Sequence, residues 1–265
     1  MIELEDKIKK GENRMEEKTK PDYDLKKFLD ASYPLLETFR KVAPGTFAHC
    51  DNVSDLCEAV GLELGLNTDM MATIGKYHDI GKMNFPEAFS ENQNGTNIHD
   101  GLEPNISYQI ITRHIGDTAI ILINEKYFPR DLIEMILQHH GDTVLSFFYN
   151  KSGGNVDEMY RYKCRKPQTI EAAVLMICDS VEATARAMSS NGKLETTDHR
   201  KAVVNDTVQR LMDDLQLDDI TVGEVRRVRK VLFKELENRY HRRIEYPDKK
   251  KETKDELRIN DNGND

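Results

Sequence analysis

The chain has 265 residues, a formal net charge of −9 and a sequence pI near 5.5, with 8 histidines and 4 cysteines. This acidic balance leaves no basic footprint for gripping long nucleic acid by its phosphates, although bound divalent cations can reverse the local field for a small anion. No run approaches the ~18 to 20 apolar residues that span a bilayer, and the charged N-terminus lacks a signal-peptide core.

Residues 1–20 are dense in Lys and Glu, and residues 249–265 are charged and then Asn/Asp/Gly-rich, so both read as mobile tails around one domain at 21–248. Within that domain the apolar periodicity is helical and no convincing period-two strand occurs. The fold class is all-α, a helical bundle. Cys50, Cys57, Cys164 and Cys178 follow neither C-x-x-C spacing nor a disulfide framework, which suits a reducing compartment.

In chain order, Asn67 or Thr68 caps a helix through Met70, Met71, Ile74 and Tyr77, which sets His78-Asp79 at its C-terminal end. Gly81 then lets the chain turn sharply. Lys82 emerges beside that end, where an ammonium can neutralise a phosphate or leaving oxygen; a solvated surface lysine is the alternative. The stretch from Met83 to Glu103 lacks helical periodicity and reads as a functional lid, offering Glu91, Asn92, Gln93, Asn97 and His99 to a substrate.

The helix from Pro104 carries Ile106, Ile110, Ile111 and His114 on one face, so His114 points inward. Pro129 starts the next, with Leu132, Ile133, Ile136 and Leu137 as its apolar face and Gly141 as its end, leaving His139 and His140 in the last turn. Adjacent helical residues diverge by about 100°, so two ligands there require an unwinding helix end or a metal lodged between them.

Tyr149 to Lys166 is irregular and alternates Tyr160, Arg161, Tyr162, Arg165 and Lys166, as either a clamp that stacks on a nucleotide or a flexible surface loop. A long helix from Gln168 carries Asp179 on the face of Leu175, Met176 and Ala183, and a buried carboxylate there demands a metal or a cross-helix Arg. On the helix Val222–Tyr240, the stripe Val225, Val228, Leu232 and Leu236 packs on the core, or on a second copy in a homodimer.

Taken singly, His114 is a core histidine bonded to a carbonyl, and His139-His140 are residues that favour a helix C-terminus. Taken together, His49, His78, Asp79, His114, His139, His140 and Asp179 form a donor set spread too widely for a finger-type site. Imidazole and carboxylate donors in that number suit two divalent metals sharing a bridging carboxylate, with manganese or iron fitting better than zinc alone. Cys50, beside His49, is a small buried hydrophobe or a further metal contact.

From Leu36 to Pro247 the chain resembles the HD-domain metal-dependent phosphohydrolases, specifically the cytoplasmic domain of seven-transmembrane HD receptors, the PgpH-type cyclic-di-AMP phosphodiesterases. The resemblance rests on Ala43-Pro44-Gly45-Thr46, His78-Asp79-Ile80-Gly81-Lys82-Met83, Glu91-Asn92-Gln93, His99-Asp100 and His139-His140-Gly141. It continues through Lys166-Pro167-Gln168-Thr169, Asp179-Ser180-Val181-Glu182-Ala183 and Arg243-Ile244-Glu245-Tyr246-Pro247.

It implies two divalent metals, one on His49, His78 and Asp179, the other on His114, His139 and His140, with Asp79 bridging them. It implies Asp79 and Lys82 as the catalytic residues, and a metal-bridging hydroxide opening a cyclic dinucleotide to the linear form. A cytoplasmic setting also follows from it. The candidate substrate contacts are Lys82, Asn92, Arg113, Tyr162 and Lys166. Where the cyclic-di-GMP branch has Gly-Tyr-Pro, this chain reads Gly141-Asp142-Thr143, which favours cyclic-di-AMP. The competing readings are another cyclic dinucleotide or nucleoside phosphate as substrate, a non-catalytic nucleotide-binding module, and oxygen chemistry at a di-iron site.

Overall fold

A computed structural model describes residues 23–154 and 157–240; the two tails read from the sequence lie outside the described residues. The helices are α1 (Lys26–Leu29), α2 (Pro34–Val42), α3 (Pro44–Leu64), α4 (Thr68–Tyr77), α5 (Pro104–Asn124), α6 (Arg130–Ile136), α7 (Ser146–Lys151), α8 (Ile170–Ser190), α9 (Thr197–Asp213) and α10 (Val222–Tyr240). Among the described residues there is no strand, and one isolated antiparallel bridge joins Val144 to Arg161.

Local chemistry sets the helix starts. Proline occupies the first position of α2, α3 and α5, where its missing N–H costs nothing. Asn67 caps α4 by accepting from Met70 N at 2.9 Å, and Thr169 caps α8 by accepting from Ala172 N at 3.2 Å.

The core centres on α3, α4 and α8. Val53, Leu56, Cys57 and Val60 of α3 meet Met71, Ile74 and Tyr77 of α4 and Val174, Leu175, Ile177, Cys178 and Val181 of α8, all buried. Val225, Val228, Leu232 and Leu236 of α10 close one side against α3, α8 and α9, so the stripe is covered within the chain rather than by a second copy. No helix among the described residues is long and apolar enough to cross a membrane.

The folded chain departs from the sequence reading in four places. First, α6 ends at Ile136, and residues 137–142 run on as turns, so His139 and His140 sit beyond the helix. Second, the inner face of α5 is Ser107, His114, Ile115, Thr118 and Leu122, whereas Ile106 is exposed. The apolar triplet is offset from the face that is buried.

Third, the supposed lid is pinned. It folds into short 3₁₀ turns at Pro86–Ala88 and Ser90–Asn92, buries Ala88, Phe89 and His99, and ties His99 Nε2 to Ala88 O at 2.9 Å. Fourth, the irregular stretch from Tyr149 opens inside α7 and includes a 3₁₀ turn at Asp157–Tyr160.

Candidate metal centre

Five helix ends or faces bring the donor set together. α3 delivers His49 from its second turn, the end of α4 delivers His78 and Asp79, α5 delivers His114, the turns after α6 deliver His139 and His140, and α8 delivers Asp179. All are buried except His140, which is partly exposed. Asp79, His114, His139 and His140 offer ligand atoms within 4.8 Å of one another, as do His49, His78 and Asp79, and also His78, His139 and Asp179.

Asp79 lies between the two halves. Its Oδ1 is 3.3 Å from His114 Nε2 and 3.6 Å from His139 Nε2, while its Oδ2 is 3.3 Å from His78 Nε2 and 3.8 Å from His49 Nε2. Asp179 Oδ1 lies 3.0 Å from His49 Nε2 and 3.6 Å from His78 Nε2.

The imidazoles are oriented from behind in a repeated way. His78 Nδ1 bonds Gly75 O at 2.8 Å, His114 Nδ1 bonds Ile111 O at 2.6 Å and His139 Nδ1 bonds Ile136 O at 2.7 Å, in each case the carbonyl three residues earlier. A carbonyl can only accept, so each Nδ1 carries the proton and each Nε2 presents a lone pair inward, as metal-ligating histidines require. His78 Nε2, His114 Nε2, His139 Nε2 and Asp79 Oδ1 are fully buried with no hydrogen-bond partner in the protein. Leaving such atoms unpaired is costly, and converging lone pairs from imidazole and carboxylate fit a divalent cation.

Electrostatics put the two carboxylates, His114 and His140 in the protonation state that metal ligation needs. Against the penalty of burial, Lys82 and His78 hold the Asp79 carboxyl well below its usual range, and His49 and His78 do the same for Asp179. Burial pushes His114 down to about 4, and burial together with His139 and His114 pushes His140 down, so both are neutral and available as ligands at pH 7. His49 goes the other way: despite burial, Asp179 and Glu182 raise it to about 9.

Gly81 is required by close approach and not by an unusual turn. A Cβ there would stand 2.1 Å from His114 O and 2.4 Å from Thr118 N, so only glycine lets the 3₁₀ turn Ile80–Asn84 seat against α5. Lys82 is drawn inward to Asp79 and Glu91 and lies 4.6 Å from the Phe89 ring centroid, instead of standing in solvent.

The remaining candidate contacts are placed unequally. Asn92 is spent on α3: its Oδ1 accepts from Gly45 N at 2.9 Å and Thr46 N at 3.1 Å, and its Nδ2 donates to Thr46 Oγ1 at 2.8 Å. Tyr162 is buried and stacks on His140, with centroids 4.2 Å apart. Arg113 is exposed, 3.2 Å from Asp117, at the mouth of a pocket of about 200 Å³ lined by Gly81, Phe85, Phe89 and His114. Lys166, 3.9 Å from Asp142, lines a separate groove of about 550 Å³ with Arg161, Tyr162 and Lys163. Cys50 is fully buried, its Sγ 3.7 Å from His78 Nδ1 on the side away from the inward-facing Nε2.

Sequence reasoning overlooked the part played by Glu182, whose buried carboxylate bonds His49 Nδ1. The signal was its position three residues after Asp179, on the same helical face.

The HD domain family model matches residues 46–184, a span that begins three residues before His49 and ends five beyond Asp179. The chain belongs to the HD-domain family. Two curated relatives, both named cyclic-di-AMP phosphodiesterase PgpH, match this HD domain. The one from Listeria monocytogenes serotype 1/2a (strain 10403S) is 39% identical over 232 residues, covering 85% of this chain and 32% of the relative. The one from Bacillus subtilis (strain 168) is 36% identical over 238 residues, covering 87% and 33% respectively. The chain thus spans about a third of the length of these relatives. The crystal structure of the L. monocytogenes PgpH HD domain in complex with cyclic-di-AMP superposes with a TM-score of 0.73 at 37% identity, covering 78% of this chain and 98% of that one.

Proposed function

We propose that this HD domain is a metal-dependent phosphoric diester hydrolase that opens a cyclic dinucleotide, cyclic-di-AMP, to the linear dinucleotide. The observation that carries the reading is Asp79, a buried carboxylate with one oxygen facing His114 and His139 and the other facing His78 and His49. That disposition suits a bridge between two divalent ions, one held by His49, His78 and Asp179, the other by His114, His139 and His140. Imidazole and carboxylate donors suit manganese or iron. The names of the relatives and the cyclic-di-AMP complex of the Listeria domain support the choice of substrate.

When bound, the two cations supply a water activated at neutral pH and neutralise charge on the scissile phosphate. The chain's own contribution is orientation and charge. The three Nδ1-to-carbonyl bonds hold the ligand rings, and the Lys82 ammonium adds a positive charge where negative charge develops on phosphate or leaving oxygen. Lys82 is largely buried, with the Phe89 ring against both it and His114, and burial strengthens that charge. Free thiols at Cys50, Cys57, Cys164 and Cys178 agree with work in a reducing cytoplasm.

The test is a panel. Protein loaded with Mn²⁺, or with Fe²⁺ under anaerobic conditions, is given cyclic-di-AMP, cyclic-di-GMP and a mixed cyclic dinucleotide, and the products are separated by chromatography. The expected result is conversion of cyclic-di-AMP to its linear dinucleotide with the highest kcat/KM of the three. Preference for another substrate would move the assignment within the family, and no turnover of any of them with metal bound would leave a binding role.

A further inference from the structure

His78, His114 and His139 each lean on a neutral backbone carbonyl. His49 leans on a charge instead: its Nδ1–H donates to Glu182 Oε2, leaving Nε2 to face Asp179 Oδ1 at 3.0 Å and Asp79 Oδ2 at 3.8 Å. Glu182 is itself fixed. Asn52 Nδ2 of α3 donates to its Oε1 at 3.1 Å, and Arg186 Nε, one turn along α8, approaches Oε2 at 3.4 Å. Arg239 of α10 in turn donates to Asn52 Oδ1 at 3.0 Å, so three helices converge on this one carboxylate. It is only 3% exposed, and it does not reach the cluster of ligand atoms directly.

A carboxylate behind a ligating imidazole fixes its tautomer and raises its basicity toward the metal. The two halves of the cluster therefore differ in charge. The His49 half draws on Asp79 and Asp179 with Glu182 behind, whereas the His114, His139 and His140 half shares Asp79 and otherwise presents imidazoles. We infer that Glu182 is a positioning residue for His49, and that it makes the metal position on the Asp179 side the tighter of the two. This rests on the two-ion reading above.

The experiment is calorimetric titration of Mn²⁺ into the metal-free protein, the Glu182→Gln variant, the His49→Ala variant and the double variant. The wild-type protein should bind two ions with unequal affinities. Glu182→Gln should weaken the tighter ion about 10- to 100-fold and leave the other unchanged. In the His49→Ala background, Glu182→Gln should add no further loss, because the carboxylate acts only through that ring. Unchanged tight binding in Glu182→Gln, or a full additional loss in the double variant, overturns the inference. A single bound ion in the wild-type protein contradicts the two-ion reading instead, and the brace is then judged on that ion by the same ratio. Glu182→Asp, which keeps the charge but withdraws it from Nδ1, serves if the Gln variant does not fold; the same loss is expected, and unchanged affinity overturns the inference.

Discussion

Lys82 Nζ lies 2.6 Å from Asp79 Oδ2, and Glu91 Oε1 sits on its other side at 3.1 Å. The ammonium is therefore held at the edge of the ligand cluster by two carboxylates, and burial gives it more electrostatic weight than a surface lysine has. Lys82→Ala should retain the wild-type metal content and lower kcat on the order of 10²-fold. Elemental analysis beside steady-state kinetics checks this. A variant that lost metal in step with activity would make Lys82 a structural residue.

Glu91 supplies a pH signature of the same contact. Although burial opposes it, Lys82 pulls the Glu91 carboxyl from its ordinary 4.5 down to about 2. A folded-state value below the unfolded one contributes stability that is fully present above pH 4.5 and is lost as pH falls toward 2. The contribution at neutral pH is on the order of 3 kcal/mol. Urea denaturation of wild type and Glu91→Gln should show the wild type ahead at pH 6, with the gap closing as the medium is acidified below pH ~4.5. A gap independent of pH would mean that Glu91 does not stabilise through its charge.

Asn92 separates a structural part from a binding part. Its carboxamide accepts from the first N–H groups of α3 and returns a donor to Thr46, which steadies the helix that carries His49. Asn92→Ala should cost about 1 to 2 kcal/mol in unfolding free energy, as losing a helix cap does, and leave KM unchanged. A raised KM with unaltered stability would return Asn92 to the substrate site.

The cluster was legible as a set: a cap and apolar run place His78-Asp79 at a helix end and Asp179 is a carboxylate among apolar neighbours, whereas His114, His139 and His140 taken singly read as core or helix-end histidines. The fold class was legible from periodicity alone. What the sequence hid was tertiary. The end of α6 at Ile136 is not marked by its apolar face, which continues through Leu137. The glycine at position 81 was read as a turn residue, yet its reason is the backbone of α5 two ångströms from where a Cβ would stand. Glu91 and Asn92 read as lid residues offered to a substrate, because their partners Lys82, Gly45 and Thr46 meet them only in the folded chain.

The most direct measurement strips the protein of metal, restores Mn²⁺ stepwise, and follows both bound metal and linear product from cyclic-di-AMP, with Asp79→Ala alongside. The account predicts no turnover without metal, activity that rises as two ions per chain are taken up, and an Asp79→Ala protein that keeps its helical circular dichroism but loses metal from both positions and all turnover. Hydrolysis at the wild-type rate by Asp79→Ala, or by protein verified free of metal, would contradict it.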